Sequence, residues 1–253
     1  MVISMQRWVG KVAIVTGASA GIGSAIAAKL VENGMIVAGL ARRKEKIEEL
    51  KKNLGANKGN LHAIKCDVGN ENDILSAFKW ITANLGPVHV LVNNAGIILS
   101  TTLSDGDTES WRNVIDTNVL GVLICAREAI KIMKSKNIAG HIINMNSILG
   151  HTIPNAFVEA NIYPATKHAV TGLTESLRLE LATKDSPIRV TSISPGATET
   201  ELSKSSAELL DGVFVEDKML QPEDIADAVV YVISTPTRVT IKELIIKPTT
   251  EKF

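Results

Sequence analysis

The stretch "KVAIVTGASAGIG" (11–23) runs from an unbroken apolar segment straight into a glycine-rich turn, and that junction decides the fold. Residues 11–16 show no polar–apolar alternation, which is the pattern of a strand covered on both faces. The turn sets Gly17, Gly21 and Gly23 in a GxxxGxG spacing ahead of a segment whose periodicity predicts a helix near 22–33. Working outward, comparable apolar runs recur at 35–41, 61–66, 88–93, 141–146, 188–194 and 242–247. The segments between them predict further helices near 43–53, 71–85, 109–134, 160–183 and 223–234. Strand and helix in strict alternation imply a parallel sheet with right-handed crossovers.

The expected fold is therefore α/β, a three-layer doubly wound Rossmann fold with a seven-stranded parallel sheet. No Pro/Gly/Ser-rich linker or composition break divides the chain, so residues 1–253 read as one domain. Hydrophobic residues make up 45% and charged residues 21%, as in ordinary soluble globular proteins. Lys plus Arg (27) balances Asp plus Glu (27), leaving no basic field to attract nucleic acid or anionic lipid. Cys66 and Cys125 lie in apolar patterns without metal-ligand spacing and read as reduced structural thiols, so no metal is expected. The opening "MVISMQRWVGKVAIVTG" (1–17) has no long apolar run behind basic residues, and no run of ~18 apolar residues occurs. The expectation is a cytoplasmic protein without a signal peptide or membrane span.

In sheets of this kind ligands sit beyond the carboxyl ends of the strands. The glycines after the first strand permit a tight turn and bring backbone N–H groups close to a pyrophosphate at a helix N-terminus. The second strand ends in "GLARRKEK" (39–46), where an NAD-selective protein usually carries an acidic residue for the ribose hydroxyls. Here Ala41 takes that place, and Arg42 and Arg43 follow. A carboxylate would repel a 2′-phosphate, whereas guanidinium groups grip it, so the expected cofactor is NADP(H).

The segment "IYPATKHAV" (162–170) holds one of only two tyrosines. Tyr163 and Lys167, four residues apart, share a helix face. A cation there favours the phenolate and would lower a pKa of ~10, making an acid–base catalyst. Taken alone, the same residues also read as a helix start with a solvated lysine.

The chain as a whole resembles the short-chain dehydrogenase/reductase family, in its single-domain branch, from residue 8 to about 248. The resemblance rests on "TGASAGIG" (16–23), "CDV" (66–68), "NNAG" (93–96), "NV" (118–119), Ser147, "YPATK" (163–167) and "SPGATET" (194–200), in family order. It implies Tyr163 as the acid–base residue and Lys167 as its partner, which also bonds the nicotinamide ribose. Ser147 is implied to hold the substrate oxygen, and Asn118 to support a water chain. The implied cofactor site comprises Gly17, Ser19 (near the 2′-phosphate), Gly21, Ile22, Gly23, Arg42 and Arg43, with Asp67 and Val68 at the adenine. It continues through Asn94 and Gly96 to Tyr163 and Lys167, with Pro195, Gly196, Thr198 and Thr200 along the nicotinamide carboxamide. There are departures: Asn146 and Thr198 stand where serine and an aliphatic residue are more usual, and Ser147 and Tyr163 are spaced slightly wider than usual.

"QRW" (6–8), "GLARR" (39–43), "DGDTESWRNVIDTNVLG" (105–121) and "QPEDIADAVVYVISTP" (221–236) resemble the insect farnesol dehydrogenase-like group more closely. That implies oxidation of farnesol or a similar isoprenoid alcohol to its aldehyde, in juvenile hormone biosynthesis. Steroid or xenobiotic carbonyl reduction is the alternative, and a non-catalytic NADP(H)-binding sensor a further one. Substrate loops are expected at 97–111, 148–162 and 198–220, the last as a lid. Ile97, Ile98, Leu149, Ile153, Phe157, Leu202, Leu209, Val213 and Phe214 in these loops suit an apolar alcohol or carbonyl, although core packing would claim some. His151 could touch substrate, but reads better as a loop histidine. Leu123, Val119, Leu173, Leu177 and Leu181 give the two longest predicted helices a second apolar face, which with the resemblance points to a homodimer or homotetramer.

Overall fold

Alternate residues of β1 (Val12–Thr16) pack into different cores, because helices cover both faces of the sheet. Ala13 and Val15 meet Ile26 and Leu30 of α1 (Gly21–Glu32) and Val229 and Ile233 of α8 (Pro222–Ser234). Val12 and Ile14 meet Phe78 of α3 (Glu71–Asn84), Met133 of α5 (Gly121–Ser135) and Leu181 of α6 (Ile162–Ala182). In the computed structural model, which describes residues 3–154, 162–205 and 219–249, β1 lies inside a seven-stranded parallel sheet. The other strands are β2 (Ile36–Ala41), β3 (Leu61–Lys65), β4 (Val88–Asn93), β5 (His141–Met145), β6 (Arg189–Pro195) and β7 (Glu243–Ile246).

The strand order is β3-β2-β1-β4-β5-β6-β7, and every pairing is parallel. Chain order runs outward in both directions from the β1–β4 pair, which makes that junction the topological switch point. Every predicted strand is found, shifted by at most one residue at either end. The edge strands β3 and β7 are only partly buried, unlike β1 and β6 within the sheet.

The helices α2 (Lys44–Lys52), α3 and α8 fall where periodicity places them. Their ends follow from local chemistry. The Asn70 side chain caps α3 by accepting from the N–H groups of Asn72 and Asp73. Gln221 and Asp224 form a reciprocal cap on α8, with Pro222 at its first position.

One predicted helix is broken. Instead of a continuous helix over 109–134 there are α4 (Thr108–Ile115), a π-helical turn (Asp116–Leu120) and α5. The wider turn goes with an inward Asn118, whose side chain bonds both the N–H and the C=O of Ile97. Periodicity sees only the apolar stripe on either side and cannot register one loosened turn. The short helical turns Gln6–Trp8, Gly55–Asn60 and Ile148–Gly150, and α7 (Glu201–Ser205), escape it as well, being too short to show a period. Leu220 returns beside Thr198 in an isolated parallel bridge, so the ends of the expected lid are pinned together.

Of the expected outer apolar face, Leu181 belongs to the core and Leu177 packs against it, while Leu123 stays exposed, as do Leu120 and Leu179. No helix among the described residues is long and apolar enough to cross a membrane.

Candidate active site

A cleft of about 560 Å³ opens at the switch point. Its floor is the glycine turn between β1 and α1. Gly17 has φ +67°, in the left-handed region, and a Cβ there would lie 2.9 Å from the Ala95 Cα. A Cβ on Gly23 would lie 2.3 Å from the Gly17 carbonyl oxygen and 2.4 Å from the Asn94 amide nitrogen. The glycines therefore let the turn close on the segment after β4. Asn94 fastens the two, donating from Nδ2 to the Thr16 and Gly17 carbonyls at 2.9 and 3.3 Å. Thr16 Oγ1 accepts from the backbone N–H groups of Asn94 and Ala95.

Unlike α3 and α8, α1 begins without a side-chain cap and has no acidic residue in its first turn. Its first N–H groups and positive dipole end are thus left for an anion from the cleft. Arg42 and Arg43, both exposed, line the far side of the cleft beyond Ala41. Arg43 pairs with Glu201 of α7 at 2.7 Å. Asp67 lies at the end of the cleft beyond β3, where its carboxylate accepts from the Gly69 N–H at 3.0 Å. Bare helix end, close-packed glycines and arginine pair together suit the anionic pyrophosphate of a dinucleotide.

Where this cleft meets a smaller cavity of about 110 Å³, Tyr163 lines both. Ser147, at the end of β5, hydrogen-bonds the phenol of Tyr163, and its Oγ also accepts from the Leu149 N–H at 3.1 Å. The Lys167 Nζ lies 5.5 Å from the centre of the Tyr163 ring and donates to the Met145 carbonyl at 2.9 Å. Both side chains are buried, and burial moves their proton affinities in opposite directions. It pushes the phenol well above its ordinary value, with the Ser147 hydrogen bond pulling back, and lowers the lysine to about 8. The expectation that Lys167 depresses the phenol is therefore not met by the chain alone. The ammonium turns to the Met145 carbonyl, and desolvation is the larger effect.

Of the residues expected at the cofactor, Gly17, Ser19, Gly21, Ile22, Gly23, Arg42, Arg43, Asp67, Val68, Asn94, Gly96, Tyr163, Lys167, Pro195 and Thr200 line the larger cleft. Gly196 and Thr198 line only the smaller cavity, together with Ser147. Asn118 lines neither cavity. It sits behind the site, bonded to Ile97 and, from Nδ2, to Thr166 Oγ1 at 3.2 Å, and Thr166 donates to the Tyr163 carbonyl at 2.7 Å. Of the apolar candidates, Ile98, Leu149 and Leu202 line the smaller cavity and Ile97 the larger, while Ile153 is exposed. Phe157, Leu209, Val213 and Phe214 lie outside the described residues. His151 turns away, with Nε2 at 3.0 Å from Ser194 Oγ and 3.1 Å from a Glu243 carboxylate oxygen. Burial pushes the Cys66 thiol up to about 12 and raises Cys125 too, which fits unreactive structural thiols.

Two participants carry no motif signal, and a third, Asn146, stands out only as a departure from the family pattern. The Met145 carbonyl is a backbone group and invisible to side-chain patterns. Glu201 follows the last motif, in a segment read only as lid. Asn146 lines both cavities and donates from Nδ2 to Thr171 Oγ1 at 2.8 Å, while its buried Oδ1 has no partner among the described residues.

Comparison with known proteins agrees with this geometry. Residues 11–210 match the family model for short chain dehydrogenase. The chain is 50% identical over 251 residues to farnesol dehydrogenase of Aedes aegypti, covering 98% of this chain and all of that one. It is 46% identical to dehydrogenase/reductase SDR family member 11 of Gallus gallus, over 97% of this chain and 98% of the relative. Among solved structures, the closed form of serine dehydrogenase complexed with NADP+ superposes with a TM-score of 0.83 at 32% identity, covering 96% of each chain. With the glycine turn, the parallel sheet and the Ser–Tyr–Lys corner in place, the chain belongs to the short-chain dehydrogenase/reductase family of NAD(P)-binding oxidoreductases.

Proposed function

We propose that this protein is an NADP(H)-dependent oxidoreductase that interconverts an alcohol with its aldehyde or ketone, farnesol or a similar isoprenoid alcohol being the preferred class. The observation that carries the reading is the buried corner where Tyr163, Ser147 and Lys167 lie together at the junction of the two cavities. Isoprenoid preference is supported by the likeness to the Aedes aegypti protein and by the apolar lining from Ile98, Ile148, Leu149 and Leu202. NADP(H) over NAD(H) is supported by Arg42 and Arg43 and by Ala41 where a carboxylate would stand.

In this reading the nicotinamide supplies or takes up the hydride. Tyr163 moves the proton on the substrate oxygen, giving it to a carbonyl or taking it from an alcohol. Ser147 holds that oxygen beside the phenol, and Lys167 stabilises the phenolate whenever it forms. Asn118 positions the Ile97 backbone and, through Thr166, the start of α6. Arg42, Arg43 and the first turn of α1 hold the phosphates, and the enzyme acts in the cytoplasm as a homodimer or homotetramer.

A panel of farnesol, geraniol, steroid alcohols and quinones, each followed by nicotinamide absorbance with both NADP(H) and NAD(H), tests the proposal. Turnover of farnesol and geraniol ahead of steroids and quinones is the expected result. Preference for steroids or quinones would reassign the substrate to the carbonyl-reductase alternative, and no turnover of any member would favour a binding protein.

A further inference from the structure

The Arg43–Glu201 ion pair spans the cleft where the proposed function puts the 2′-phosphate of the cofactor. Glu201 opens α7, and its neighbour Thr200 lies against Gly21, where a Cβ would approach the Thr200 Cγ2 to 3.0 Å. The Thr200 side chain thus packs on the first residue of α1, and Glu201 follows it with its carboxylate on Arg43. The adjacent acid, Glu199, is engaged elsewhere, with Lys204 at 2.9 Å and Gln221 at 3.2 Å. Glu201 is therefore the acid directed at the arginines.

We infer that Glu201 is an internal competitor for the phosphate subsite, and that it sets how strongly the cleft prefers NADP(H) to NAD(H). A 2′-phosphate at Arg43 has either to displace Glu201 from Nη2 or to bind beside its carboxylate, and the two anions repel each other when close. A cofactor without that phosphate leaves the pair closed. The side chains are 50% and 58% exposed, so water screens the pair and the exchange is an easy one. Competition of this kind lowers NADP(H) affinity by a moderate factor rather than abolishing it.

The inference rests on the NADP(H) reading, so the test separates the two. Dissociation constants for NADPH and NADH are measured by nicotinamide fluorescence for the wild type, Glu201→Gln, Arg43→Gln and the double variant, with thermal melts confirming that each is folded. Glu201→Gln is expected to tighten NADPH by about three- to tenfold and leave NADH within about twofold. NADPH and NADH carry the same pyrophosphate, so their difference isolates the 2′-phosphate. In the Arg43→Gln background the same change should give less than about twofold, because the contested guanidinium is gone. Equal tightening of both cofactors, or an undiminished gain without Arg43, overturns the inference. Unchanged NADPH affinity in Glu201→Gln beside a selective loss of NADPH in Arg43→Gln overturns it too, and leaves the NADP(H) reading standing. Equal loss of NADPH and NADH in Arg43→Gln overturns that reading, and the inference with it.

Discussion

Replacing Lys167 by methionine should separate the stability of the fold from the working of the site. Lys167 is 6% exposed and has no carboxylate partner among the described residues, and burial lowers its pKa from 10.5 to about 8. Between those values the unfolded chain holds more protons than the folded one, so this group's contribution to stability rises with pH across that window. Integrating the proton difference from pH 7 to pH 10 gives the wild type on the order of 2–3 kcal/mol that Lys167→Met cannot gain. Methionine nearly matches the lysine stem in length and needs no solvation, and its one new cost is the lost donor to the Met145 carbonyl, about 1 kcal/mol. At pH 7 the variant should therefore be at least as stable as the wild type, and its lead should shrink or reverse by pH 10. The difference in melting midpoint should swing by about 5–10 °C between the two pH values, while turnover falls by orders of magnitude at both. Thermal melts of both proteins at half-unit pH steps provide the measurement. Parallel stability curves from pH 7 to pH 10 would refute a buried, depressed lysine and the desolvation argument with it.

Further outcomes follow from the same geometry. Tyr163→Phe should still bind NADPH while losing turnover by about a thousandfold or more, and near-normal rates in the absorbance assay would remove Tyr163 from acid–base work. Replacing Arg42 and Arg43 together by glutamine should weaken NADPH at least about tenfold more than NADH, and equal losses would contradict the phosphate assignment. Gly23→Ala should lower the urea midpoint by the equivalent of about 2–3 kcal/mol and loosen cofactor binding, since the new Cβ meets the Gly17 carbonyl at 2.3 Å. Wild-type stability and affinity in that variant would mean the turn can part from β4. Alcohol oxidation should speed up from pH 7 to pH 10 while carbonyl reduction stays level or slows, and coincident profiles would exclude a phenol raised by burial.

The sheet was legible because its strands are buried on both faces, which turns each into an unbroken apolar run with glycine or polar residues behind it. The cleft was legible for a related reason, since Gly17, Gly23, Asn94 and the two arginines occupy strand ends that topology brings together. Energetic balances and backbone groups were not legible. Spacing put Lys167 one turn from Tyr163, but could not show that the ammonium faces the Met145 carbonyl or that desolvation outweighs the pair. It likewise gave no sign that the helix through Asn118 loosens into a π turn, or that Glu201 reaches back across the cleft to Arg43. Each of these depends on contacts between segments far apart in sequence, which neither periodicity nor motif spacing encodes.

Burial of this phenol has a consequence for direction. In the proposed function a protonated Tyr163 would be ready at neutral pH to give its proton to a carbonyl oxygen, so reduction would start from the state the chain already favours. Oxidation needs the phenolate, which the buried corner disfavours. Three groups can offset that: the Ser147 hydroxyl, which already hydrogen-bonds the phenol, the partly protonated Lys167, and the positive ring of an oxidised nicotinamide. The first two belong to the chain in every state, whereas the third is present only with the oxidant bound. In the proposed function the same residues would therefore form an acid by default, and would form a base more readily where a bound oxidised nicotinamide would supply its positive charge.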